Sequence, residues 1–148
     1  NGFVQLFTSS TGTGSTSFSN VALASSTVNG MVAPFWDDLA YATGPAATLT
    51  VQTFGAAPNR RFVVQHADYM PYSVSTARLT FQTKFFEGSN VIETHYCSMT
   101  NSGTGTRHTG DSATIGLRSI DGTLTSQAAL NTAGSAATGT AWRFTPGM

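Results

Sequence analysis

Charge is what this sequence has least of. Asp, Glu, Lys and Arg make up 9% of its 148 residues, against about 25% in an ordinary globular chain. Seven basic and seven acidic residues cancel. No basic stripe is present, which argues against a nucleic-acid binder. Lys84 is the only lysine and Cys97 the only cysteine, so the fold is not a disulfide scaffold. No apolar run approaches the roughly 18 residues that would cross a bilayer as a helix, so membrane insertion is not expected. No Asn-x-Ser/Thr sequon occurs, no Gly-x-Ser-x-Gly elbow, no phosphate-cradling glycine loop and no zinc spacing. No segment keeps a 3.6-residue apolar period, so little helix is expected.

Thr, Ser, Gly, Ala and Asn stand where charge usually stands, as on the outward faces of secreted β-proteins. Apolar residues at 40%, with ten Phe and two Trp, are enough for a core. The length is that of one domain, 1–148, which buries roughly two-thirds of its unfolded surface. Asn1 in place of an initiator Met suggests a processed or excised chain.

The densest apolar segment is Val32-Ala33-Pro34-Phe35-Trp36-Asp37-Asp38-Leu39. It reads as a core strand, Met31 to Trp36, acting as the plug around which two sheets close. Pro34 lacks an N–H, so this strand should lie at an edge or be broken there. Before it, residues 2–7 form a short first strand, and the low-complexity Thr8 to Ser19 reads as a loop. Together residues 1–19 are expected to make a flexible N-terminal arm. After the turn Thr43-Gly44-Pro45, alternation predicts strands over 48–54, 60–69, 77–87 and 91–99, the last two joined by the Glu87-Gly88-Ser89-Asn90 hairpin. Further strands are expected over 112–119 and 141–144, with 123–139 mostly irregular. The result is an all-β, antiparallel sandwich of about eight to ten strands, jelly-roll-like or Ig-like. Its expected core is Phe35, Trp36, Phe62, Val64, Phe81, Phe85, Ile92, Tyr96, Ile115 and Leu117.

Asp37 and Asp38 are the candidate metal ligands. In a loop they could give oxygens to Ca²⁺, joined by Asp68, Asp111 or Asp121. The plainer reading has one carboxylate accepting turn N–H groups and the other pairing with Arg60 or Arg61. No catalytic residue is assigned. His95 and Cys97 share a strand face, but nothing marks the orienting group and oxyanion hole that a Cys–His nucleophile needs. Cys97 is read as a small core hydrophobe, and Lys84 as solvent-facing.

The motifs Ala33-Pro34-Phe35-Trp36-Asp37-Asp38-Leu39, Gly55 to Gln65, Thr80-Phe81-Gln82, Glu87 to Glu93 and Ser112 to Leu117 together resemble the NIDO (nidogen-type) extracellular domain, over about Val32 to Leu117. The resemblance implies a bacterial secreted or surface module, a non-catalytic part of adhesins, matrix proteins or surface arrays, with no catalytic residues to carry over. Two positions depart from the pattern. His66 stands where an aromatic such as Trp is expected, and Cys97 where Gly or Ser is usual.

The expected function is therefore an extracellular, non-enzymatic structural or adhesive module. It would partner copies of itself or other surface proteins by strand addition, as a surface or filament subunit. The alternative is a lectin-like sandwich for a carbohydrate or other ligand, with Tyr41, Tyr69, Tyr72 and Trp142 as stacking platforms. No cofactor is expected apart from that calcium.

Overall fold

The computed structural model describes residues 1–41 and 47–147. The turn expected at Thr43-Gly44-Pro45 lies outside them. The described residues form a β-sandwich of ten strands: β1 (Val4–Gln5), β2 (Met31–Trp36), β3 (Leu39–Tyr41), β4 (Thr48–Phe54), β5 (Arg61–Pro71), β6 (Ala77–Phe86), β7 (Ile92–Asn101), β8 (Thr114–Arg118), β9 (Thr125–Leu130) and β10 (Ala141–Phe144). One sheet has the order β1-β2-β8-β9. The other runs β10-β7-β6-β5, and β5 then pairs with β3 near its end and with β4 along its first half. All pairs are antiparallel. Two single 3₁₀ turns, 23–25 and 107–109, are the only helical elements among the described residues.

The inter-sheet core gathers Phe35, Leu79, Phe81, Tyr96, Met99 and Ile115. Strand β2 is buried at every position, which an alternating strand facing one core cannot be. The reason is a second apolar layer. The β2–β8 register slips between Ala33 and Trp36, placing Phe35 in the inter-sheet core and turning Met31, Ala33 and Trp36 to the other face. There they pack against Leu23, Val28 and Phe3. Trp36 is thus not between the sheets, as the sequence suggested, but on the outer face of the smaller one. Pro34 sits inside a strand paired on both sides, and the break it requires is this slip.

What covers Trp36 is the chain before β2. Residues 8–22 hold no strand or helix and are tied down by scattered hydrogen bonds. The Trp36 Nε1–H donates to the Ser17 carbonyl at 3.2 Å, the Ser15 N–H to Gln5 Oε1 at 2.8 Å, and the Leu23 N–H to Gln127 Oε1 at 2.8 Å. Arg118 Nη1 donates to the Leu23 carbonyl at 2.8 Å. Gly116 makes room for this layer: a Cβ there would stand 2.7 Å from Leu23 Cδ1 and 2.3 Å from the Ser126 carbonyl oxygen.

The predicted strands agree with the structure at β4 to β8 and β10, and β9 lies in the stretch expected to be irregular. Of the expected core, Phe35, Trp36, Val64, Phe81, Tyr96 and Ile115 are buried, while Phe85, Ile92 and Leu117 are half-buried. Phe62 is 40% exposed. It packs beside Phe85, ring centroids 6.2 Å apart, and belongs to neither buried cluster.

One side chain bridges the two sheets. The Tyr96 hydroxyl, on β7, donates to the Pro34 carbonyl on β2 at 2.6 Å, and burial pushes its pKa well above the ordinary tyrosine value. Tyr96→Phe should cost about 1–3 kcal/mol by leaving that buried carbonyl without its donor. Urea unfolding would read this as a lower midpoint with an unchanged slope.

Candidate functional site

The strongest constellation of polar side chains stands where β2 ends. Asp37 is 4% exposed, and both its oxygens are engaged. Oδ1 accepts the Asp38 N–H at 2.7 Å, and Arg107 Nη2 donates to Oδ1 and Oδ2 at 3.1 Å each. The Ser112 hydroxyl donates to Oδ2 at 2.6 Å. Arg107 also reaches Ser112 Oγ through Nε at 3.0 Å and the Tyr72 carbonyl through Nη1 at 3.1 Å. The elements joined are the end of β2, the β5–β6 turn and the β7–β8 crossing, so the cluster ties the two sheets at one corner. The partner expected from sequence was Arg60 or Arg61, and the structure corrects this. Arg60 is held by Glu87, through Nη2–Oε1 at 2.6 Å and Nε–Oε2 at 2.9 Å. These bonds keep the Glu87 pKa down at about 2. The Arg61 guanidinium lies 5.0 Å above the Phe54 ring.

The calcium expectation finds no ligand set. Asp111 takes the Thr106 hydroxyl, Asp121 accepts the Ser119 hydroxyl and the Thr123 N–H, and Asp68 sits on the β5 bulge with φ 59°. Among the described residues no three His, Cys, Asp or Glu side chains are grouped to hold an ion.

The aromatic platforms do not form one surface: Tyr41, Tyr69 and Tyr72 lie on or beside β3 and β5, and Trp142 lies on the far edge. Tyr41, 71% exposed, leans on Tyr69 with centroids 5.5 Å apart. Tyr69 itself is buried, so it offers no open face. Tyr72 follows β5, and Trp142 lies on β10 at the opposite edge of the sheet, its Nε1–H donating to the Ser135 carbonyl at 2.8 Å.

The two departures from the resemblance resolve differently. His66 is buried and behaves as an aromatic: its ring stacks on Phe81 at 4.6 Å and 15° and meets Tyr69 edge-on at 5.3 Å. Its Nδ1 has no hydrogen-bond partner. Burial, with a smaller push from the Asn1 ammonium, lowers its pKa from 6.5 to about 4. The neutral ring is therefore the native form. Between pH 6.5 and 4 the unfolded chain binds the proton that the folded chain refuses, so stability falls as pH falls through that window, by about 3 kcal/mol at its lower end. Unfolding titrations at pH 7 and 4.5 should show this slope, and His66→Phe should flatten it.

Cys97 is exposed rather than a core residue. The β6–β7 register shifts between Thr80 and Phe81, leaving Cys97 as the extra residue of a bulge. On the same outer face Glu93 Oε2 meets His95 Nε2 at 2.8 Å and Oε1 meets Arg143 Nη1 at 3.1 Å. Lys84 pairs in register with Glu93 on this face too.

No sequence signal points to an apolar concavity of about 320 Å³ lined by both sheets. Ile92 of the larger sheet faces Leu6, Leu117, Ile120 and Leu124 across it. No motif marks it, because its walls come from four separate segments.

The fold defines the class, a two-layer antiparallel β-sandwich in which the Asp37–Arg107 ion pair joins the end of β2 to the β7–β8 crossing. Within that class the chain belongs to the NIDO-related family, whose model matches residues 1–146. Membership suggests an extracellular module, and the match reaches well beyond the Val32–Leu117 stretch that carried the resemblance. Comparison with curated proteins and with solved structures gave no match. No helix of the described residues is long and apolar enough to cross a membrane.

Proposed function

We propose that the chain is a non-catalytic structural module of a bacterial extracellular surface that works by associating with copies of itself. The observation that carries this reading is the state of Asp37, the most buried of the carboxylates. Both oxygens of Asp37 are occupied by donors from its own fold. A general acid or base must instead present a free oxygen to a substrate. What the molecule presents outward is sparsely charged β-structure with several large apolar side chains in the open, among them Leu49, Val51, Leu124 and Tyr72.

Sedimentation velocity from micromolar to millimolar protein tests the reading. The expected result is a weight-average sedimentation coefficient that climbs with concentration. A chain that stays monomeric over the whole range would contradict it.

A further inference from the structure

We infer that β4 is a homotypic interface: its open edge pairs antiparallel with the β4 edge of a second copy, about a two-fold axis at Val51. This rests on the self-association proposed above and names the surface responsible. All seven residues of β4, Thr48-Leu49-Thr50-Val51-Gln52-Thr53-Phe54, are exposed. One side is hydrogen-bonded to β5 over seven register pairs without a slip, and among the described residues no other strand pairs with its outer edge.

Edge strands in stable monomers are blunted by charge, proline, bulges or shortness. β4 has none of these. The other edges do: β1 has two residues and β3 three, β10 has four with Arg143 among them, and the β8–β9 ladder is broken by a slip.

The sequence of β4 favours its own copy as the occupant. A two-fold at Val51 sets Val51 against Val51, Leu49 against Thr53, Thr50 against Gln52 and Thr48 against Phe54. Every pair keeps its residues on the same sheet face, and no pair brings like charges together. The partner's Leu49, itself 57% exposed, then lies beside Thr53 and extends the row that holds the half-open Phe62. The product is one continuous sheet with β10, β7, β6, β5 and β4 from each copy.

The size of the contact sets its strength. A seven-residue strand is only about 24 Å long, so its edge falls well short of the roughly 800 Å² per partner of a standard stable complex. The pairing is accordingly weak in solution, and it becomes effective where many copies are held close together.

The test uses Val51→Lys, Val51→Glu and their equimolar mixture in sedimentation velocity, with circular dichroism to confirm the fold. Val51 is 61% exposed, so neither variant disturbs a core. Each variant alone sets like charges on the axis and should self-associate at least about tenfold more weakly than the wild type. The mixture sets Lys against Glu and should recover association.

In a Cys97→Ser background, Val51→Cys should form a disulfide-linked dimer faster than Leu124→Cys. Undiminished association of Val51→Lys, or no recovery on mixing, would overturn the β4 interface while leaving self-association standing. A wild type that never associates would remove both.

Discussion

Replacing Trp36 with alanine should lower the stability of this domain by about 3–5 kcal/mol, a large share of the 5–15 kcal/mol that a domain has. The indole is 1% exposed and is the centre of the layer on the outer face of the smaller sheet, edge-on to Phe3 at 6.1 Å and 78°. Truncation opens a cavity under a segment that has no ladder of its own and cannot collapse as a unit. It also removes the donor to the Ser17 carbonyl. The loss should be lopsided. Amide exchange in residues 15–30 should rise far more than in β5, β6 and β7, which are packed through the other core. Trp36→Phe retains a ring against Phe3 and should lose less than half as much. Equal exchange across both layers would mean that the indole does not hold the N-terminal segment.

Asp37→Ala should cost about 3 kcal/mol. Breaking one side of a buried ion pair typically costs 3–5 kcal/mol because the surviving charge is left without compensation. Here the Arg107 side chain is 34% exposed, so water takes up part of the loss and the lower end applies. Ser112 Oγ and the Asp38 N–H lose their acceptor as well. Asp37→Asn keeps the shape but turns an NH₂ toward a neighbour that is itself a donor, so it should recover little. Guanidinium unfolding of both variants measures the difference directly.

These two sites also show where the sequence could be read and where it could not. Strands β4, β6 and β7 were legible because alternation with turn residues needs only local information. Trp36 was recognisable as core, but not which core. The layer over it is fastened by Leu23 and Val28 inside a Ser/Thr-rich stretch with no period, and by a register slip that turns Trp36 away from Phe35. The turn N–H on Asp37 was legible in the sequence, but its cation lies 70 positions away in a loop of no regular pattern. The nearer arginines, 60 and 61, belong to other contacts.

Strand β9 escaped notice because its six residues bury only Ala129. Cys97 was misplaced because period-two counting fails at a bulge. Phe62, 40% exposed, shows a further limit: a strand's pattern names the face that should be covered, not how fully each residue on it is covered.

The claim on which the rest depends is that the Asp37 cluster fastens the two sheets and does no chemistry of its own. A double-mutant cycle of Asp37→Ala and Arg107→Ala, followed by guanidinium unfolding, tests it most directly. Each single change should destabilise by about 2–3 kcal/mol. The double change should cost clearly less than the sum, with a coupling of about 1–2 kcal/mol. An Asp37→Ala protein as stable as the wild type, or more stable, would contradict it, because that is how a carboxylate held under strain for catalysis behaves when it is removed.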